Sequence, residues 1–251
     1  MKNLILTLFI AATIFGCKEK NEKSQEEMTA ERIEETEAEK PPQEWTELFD
    51  GTSFDGWKEF QSDKVSGNWK IEEGAIVFHP PKNRQEGEVH DLVTKKEFTS
   101  FILSLDWKIS EGGNSGVMWG VQEDAEYKKP YETGPEIQVL DNEKHPDAKV
   151  GTSHRAGALY DLNGPSKDVT KPVGEWNTMV ITVDYDKKAG SVELNGKEVV
   201  AFPIGDEMWN VMVSKSKFAD WEGFGKFIKG KIALQDHGNM VSYRNIKIKE
   251  L

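Results

Sequence analysis

The chain has 251 residues, with 32 Lys and Arg against 44 Asp and Glu, for a formal net charge of −12. That acidic balance, with no Lys/Arg-rich run interleaved with aromatics, argues against nucleic acid as a partner. One cysteine in the whole chain excludes an intramolecular disulfide framework.

From the N-terminus, Lys2 is followed by an uncharged apolar run over residues 4–15 that ends at Gly16-Cys17. A charged start, a short apolar stretch and a small residue at the end are the parts of a secretory signal, and the run is too short to span a bilayer. Ile14-Phe15-Gly16-Cys17 resembles a bacterial lipobox. The resemblance implies lipidation at Cys17, a membrane partnership through the anchor and a place in the bacterial cell envelope, on the periplasmic or outer-membrane face. A secreted protein in which Cys17 is incidental is the other reading. Residues 18–44 carry ten glutamates and five basic residues without an apolar stripe. Such a segment cannot bury enough surface to offset its ordering entropy, so 18–44 is expected to be a disordered acidic tether, closed by Pro41-Pro42.

Residues 45–251 are expected to be one domain. Strands are expected at Ala75–Phe78 and at Phe101–Ile109, whose odd positions are all large and apolar while most even ones are polar. Further strands are expected at 117–122, Glu136–Leu140, 180–185, 191–200, 232–235 and 243–249. Asn195-Gly196 sits between two β-prone runs and predicts a tight hairpin. Short helical turns are expected at most around 206–209 or 216–221. Many strands, few helices and about 200 residues imply an all-β fold, a two-sheet antiparallel sandwich. Trp69 and Trp107 read as core. Trp119, between Gly116 and Gly120, reads equally as core or as an aromatic face for a sugar ring.

In Glu136–Leu140 the polar pair Glu136 and Gln138 shares one face and Ile137 and Val139 the other. A carboxylate beside an amide suits proton transfer and hydroxyl binding. Asp141 joins that face only if a bulge intervenes. A base, a cation and a phenol follow one another in the segment His154, Arg155, Tyr160, and His237 sits where a strand runs into a glycine turn. Histidine titrates near neutrality, which makes both candidates for proton transfer. No His-x-x-x-His pair, EF-hand loop, nucleophile elbow or nucleotide-binding glycine loop occurs. No cofactor is expected, and a divalent metal ion is left open.

Several separated stretches carry a resemblance: Trp45-Thr46-Glu47-Leu48-Phe49-Asp50-Gly51 with Gly56-Trp57, then Gly113-Asn114-Ser115-Gly116 and Glu136-Ile137-Gln138-Val139-Leu140-Asp141-Asn142. Ala156-Gly157-Ala158-Leu159-Tyr160-Asp161, Gly174-Glu175-Trp176-Asn177, Leu234-Gln235-Asp236-His237-Gly238 and Arg244-Asn245-Ile246 continue it. Together they resemble the 3-keto-disaccharide hydrolase family over essentially all of 45–251. The resemblance implies a concanavalin A-like jelly roll of the lectin/glucanase type, acting on a glycoside already oxidised to a ketone at C3. Glucanases of that shape carry Glu-x-Asp-x-x-Glu, whereas this chain has Gln138 at the central acid, so the two-carboxylate glycosidase mechanism does not carry over.

A C3 ketone acidifies the C2 proton, and one base suffices to form an enolate that expels the C1 substituent before water adds. The expected proton-transfer groups are Glu136, His154 and His237. Arg155, Lys215 or Lys217 is expected to stabilise the enolate. Asn114, Trp119, Gln138, Asp141 and Tyr160 are expected to hold the sugar. The alternative is a lectin-like envelope lipoprotein that binds carbohydrate without turning it over.

Overall fold

The structure is a computed structural model that describes residues 44–251. Cys17, the apolar run before it and residues 18–43 of the expected tether lie outside the described residues. The strands in chain order are β1 (Thr46–Glu47), β2 (Trp57–Glu59), β3 (Trp69–Glu72), β4 (Ala75–Phe78), β5 (Leu92–Thr94), β6 (Phe101–Ile109) and β7 (Asn114–Val121). They continue with β8 (Glu136–Leu140), β9 (Asn177–Asp184), β10 (Ala189–Leu194), β11 (Lys197–Pro203), β12 (Lys231–Leu234) and β13 (Val241–Glu250). Among the described residues one α-helix, α1, spans Glu207–Val213.

Eight strands make one antiparallel sheet in the order β11-β10-β9-β6-β13-β4-β3, with β1 paired to β13. The other five form a second sheet, β2-β5-β12-β7-β8. This is the two-sheet sandwich expected from the strand pattern. Alternation in β6 is strict: Phe101, Leu103, Leu105, Trp107 and Ile109 are buried and the residues between them are half-exposed. Asn195 and Gly196 both adopt positive φ, 51° and 73°, and close the β10–β11 hairpin with Leu194 opposite Lys197. Two consecutive left-handed residues are what a two-residue hairpin turn requires. Asp206 caps α1, its Oδ1 accepting the Trp209 N–H at 2.9 Å.

Trp69 and Trp107 are core residues, as expected. Trp119 is core as well. It is 2 % exposed and stacks on Phe202 of the opposite sheet, with centroids 5.9 Å apart and planes 23° from parallel. A ring held between the sheets cannot face a sugar, so the aromatic-face reading of Trp119 is set aside.

Candidate active site

On β8, Ile137 and Val139 point into the core while Glu136 and Gln138 point to the outer face of the five-stranded sheet. That face is not open. The segment 157–160 runs along the free edge of β8, with Gly157 N donating to Gln138 O (2.8 Å), Gln138 N to Ala158 O (3.0 Å) and Tyr160 N to Glu136 O (2.9 Å). The edge strand is thereby paired, and its polar side chains become the floor of a cleft of about 290 Å³. Asn114, Glu136, Gln138 and Gln235 supply the floor. Lys217, Tyr160 and His237 stand at its sides, and Tyr131, Phe218, Trp221 and Phe224 form an aromatic wall.

Glu136 lies across Gly116 of the neighbouring strand. A Cβ at position 116 would come within 1.9 Å of Glu136 Oε1 and 2.5 Å of its Cδ. Only the missing side chain leaves room for the carboxyl. Gln235 Nε2 approaches Glu136 Oε2 at 3.5 Å, while Gln235 Oε1 is buried without a hydrogen-bond partner. The Gln138 amide has acceptors on both sides. One orientation points its nitrogen at His154 O (3.3 Å) and Asp147 Oδ2 (3.4 Å). The other donates to Ser115 O (3.0 Å), Asn114 Oδ1 (3.2 Å) and Glu136 Oε1 (3.3 Å). The second set includes the shortest contact and ties Gln138 directly to Glu136.

Burial pushes the Glu136 carboxyl up to about 8, helped by the negative charge of Asp91 and opposed by the Lys217 ammonium. Asp91, buried just before β5, is itself pushed up to about 7 by burial and by its acidic neighbour Asp236. Asp236 N donates to Asp91 Oδ1 at 3.0 Å, and the Asp236 carboxylate is held by Arg84 and by the His90 N–H. Burial likewise holds the Tyr160 phenol well above its usual range, reinforced by Asp147, so it stays a hydrogen-bond donor. His237 packs edge-to-face on His145 at 6.0 Å; crowding by protein atoms and by His145 holds its pKa below the ordinary histidine value, which favours the neutral ring.

The expected residues divide into those the cleft gathers and those it does not. Asn114, Glu136, Gln138, Tyr160, Lys217 and His237 line it together. His154 does not. Its Nδ1 faces Asp147 Oδ1 at 2.8 Å and its Nε2 faces Asp161 Oδ1 at 2.9 Å, so neither ring nitrogen is left for a substrate. It packs edge-on to the Tyr160 ring at 4.7 Å and is not part of the cleft lining. Asp161, in the left-handed region at φ 59°, also accepts Lys217 N at 3.0 Å, which joins the 217 loop to the β8 edge segment. Asp141 closes the far end of β8. Its oxygens accept the N–H groups of Gly112 (2.7 Å), Glu143 (3.0 Å) and Lys144 (3.2 Å), which hold its pKa down, and it faces a separate hollow at the end of the sandwich. Arg155 is exposed and its Nε reaches only the Ala148 carbonyl, at 3.5 Å; Lys215 is exposed and outside the cleft. Gln235 and the four wall aromatics carry no period that marks them in the sequence. Among the described residues no cluster of three His, Cys, Asp or Glu side chains is arranged to hold a metal ion.

Known proteins resemble this chain in sequence and in architecture. The curated 3-keto-disaccharide hydrolase of Bacteroides thetaiotaomicron is 35 % identical over 228 residues, covering 81 % of this chain and 77 % of the relative. Among solved structures, a proposed glycosyl hydrolase from Parabacteroides distasonis superposes with a TM-score of 0.74 at 34 % identity, covering 82 % of this chain and 94 % of that one. A second from the same organism gives 0.60 at 26 % identity, covering 83 % and 100 %. Residues 44–249 match the family described as a 3-keto-alpha-glucoside-1,2-lyase-like domain, and the chain belongs to that family.

Proposed function

We propose that the cleft takes a 3-keto-glycoside and cleaves its C1–O bond by 1,2-elimination followed by hydration, with Glu136 as the base. The observation that carries this reading is a buried carboxyl on the floor of a carbohydrate-sized cleft, with an ammonium at its side. Its pKa of about 8 makes it a far stronger base than an ordinary glutamate.

Ionised Glu136 removes the C2 proton, and the C–H electron pair flows to the C3 oxygen as an enolate that Lys217 stabilises. The enolate collapses, the C1–O bond breaks, and the departing alkoxide takes the proton from Glu136. An enone across C1, C2 and C3 remains. Water then adds at C1 while Glu136 accepts its proton, and the same carboxyl returns a proton to C2. The sum is hydrolysis, with Glu136 unchanged. Gln235 Oε1, a buried acceptor with no partner in the protein, receives a sugar hydroxyl in this reading, and Asn114, Gln138, Tyr160 and His237 hold others.

Because only ionised Glu136 is active, kcat/KM rises with pH through about 8. The test is incubation of the protein with 3-keto-trehalose or a 3-keto-glucoside, with released sugar followed over time. In D2O the product gains one deuterium at C2 if elimination operates. Cleavage without label refutes the elimination route, and retention of the sugar without release supports the lectin-like alternative. At the N-terminus, the apolar run and the Gly16-Cys17 junction support a lipid anchor on Cys17 that holds this domain at the cell envelope.

A further inference from the structure

The cleft does not end at its aromatic wall. Tyr131 and Trp221, 5.8 Å apart and tilted by 40°, line it on one side and on the other line a shallower hollow of about 400 Å³. The remaining surface of that hollow comes from Tyr127, Glu132, Glu222 and Gly223. Gly223 is required there, because a Cβ would come within 2.7 Å of Tyr127 Cε1 and 2.9 Å of Thr133 Cγ2. The ring of Tyr127 is seated over the glycine and braced edge-to-face on Phe227 at 6.0 Å.

The two chambers differ in chemistry. The inner one has a floor of amides, a carboxyl and an ammonium, and at about 290 Å³ it lies at the small end of ligand sites, room for one sugar ring rather than two. The outer one has three aromatic rings and two carboxylates with no basic side chain in its lining. Aromatic faces take the C–H face of a pyranose, and carboxylate oxygens accept hydroxyl hydrogens. Two carboxylates repel an anionic group, and they leave an alkyl chain with their desolvation uncompensated. Lys128 N already donates to Glu132 Oε2 at 2.6 Å, which fixes that side chain, whereas Glu222 is exposed and free to meet a hydroxyl.

We infer that the hollow walled by Tyr127, Tyr131 and Trp221 is the subsite that receives the departing sugar, with Glu222 accepting from its hydroxyls. This rests on the reading of the inner chamber as the site of C1–O cleavage. The substrate bond then crosses the Tyr131–Trp221 sill, with the oxidised ring over Glu136 and its partner outside.

Tyr127→Ala and Glu222→Gln touch only the outer hollow, and Glu222→Gln keeps shape at an exposed position, so it tests the subsite should Tyr127→Ala disturb the fold. The measurement is kcat/KM on 3-keto-trehalose and on methyl 3-keto-glucoside, whose leaving group has no ring. The expected result is a loss on the disaccharide at least fivefold greater than on the methyl glycoside for Tyr127→Ala, and at least twofold greater for Glu222→Gln. Equal losses on both substrates, or none, overturn the subsite. If the wild type releases sugar from neither substrate, the cleavage reading fails by itself. Calorimetric binding of unoxidised trehalose then decides whether the hollow holds a second sugar ring: weaker binding by Tyr127→Ala and Glu222→Gln supports the ring subsite, and unchanged binding overturns it.

Discussion

Replacing Glu136 by glutamine separates the energetic consequence of its burial from its chemistry. In the unfolded chain this carboxyl loses its proton near 4.5, and in the folded protein near 8. Between those values the native state holds one proton more than the unfolded state, so stability falls as pH rises, by about 1.4 kcal/mol per pH unit. Below 4.5 both states are protonated and nothing is lost; above 8 both are ionised and the loss is complete. At pH 7 the accumulated cost is about 3 kcal/mol, and it approaches about 5 kcal/mol above pH 8. Glutamine has the same shape, keeps the approach of Gln235, and never ionises. The stability gap between Glu136→Gln and the wild type should therefore widen with pH by about 3 kcal/mol from pH 5 to near 7.5. Asp91 titrates in the same range and is present in both proteins, so the difference reports Glu136 together with its repulsion by Asp91. Urea unfolding at half-unit pH steps gives the gap directly, and turnover of a 3-keto-glucoside by the same variant should fall by about 10²–10⁴-fold. A gap that stays flat with pH would refute the buried, proton-holding carboxyl, and full activity would remove Glu136 from the reaction.

Other outcomes follow from neighbouring features. Gly116→Ala must push the Glu136 carboxyl aside, since the new methyl would overlap it, and should lower kcat steeply while destabilising the fold by about 1–3 kcal/mol; a variant with wild-type kcat and stability would show that the carboxyl has somewhere else to go. Cys17→Ala is expected to move the protein from the membrane fraction to the soluble fraction, and equal membrane recovery would sink the lipid anchor. A chain that begins at Glu44 is expected to unfold cooperatively in urea and to keep full activity, and a broad, non-cooperative transition would show that the acidic segment supports the domain.

The parts of this fold that were legible in the sequence are those with a period. In β6 a two-residue repeat reports a sheet buried on one side, and the same repeat in β8 sets Glu136 and Gln138 apart from Ile137 and Val139. The three-residue strands β2 and β5 are too short to show alternation. Trp119 was ambiguous because flanking glycines are consistent with a ligand and with a neighbouring strand alike; Gly116 in fact accommodates the Glu136 carboxyl. Side-chain direction in irregular segments has no repeat at all, which is why Arg155, Lys215 and Lys217 read alike and only Lys217 enters the cleft. His154 reads as a base because histidine titrates near neutrality, and the partners that occupy it, Asp147 and Asp161, lie seven residues away on either side. No helix or strand rule brings such positions together, and only the looped path of the chain does.

Glu136, Gln138 and Asn114 stand on strands and Gln235 directly follows one, whereas Tyr131, Phe218, Trp221 and Phe224 stand on connections. Strand positions are locked by ladders on both sides, while connections accept insertion and exchange with little penalty to the sheets. The carboxyl on β8 and the aromatic wall can thus vary separately in this scaffold. A lineage can retailor the wall by rewriting two loops around a retained Lys217, and the carboxyl on β8 need not change a single rung.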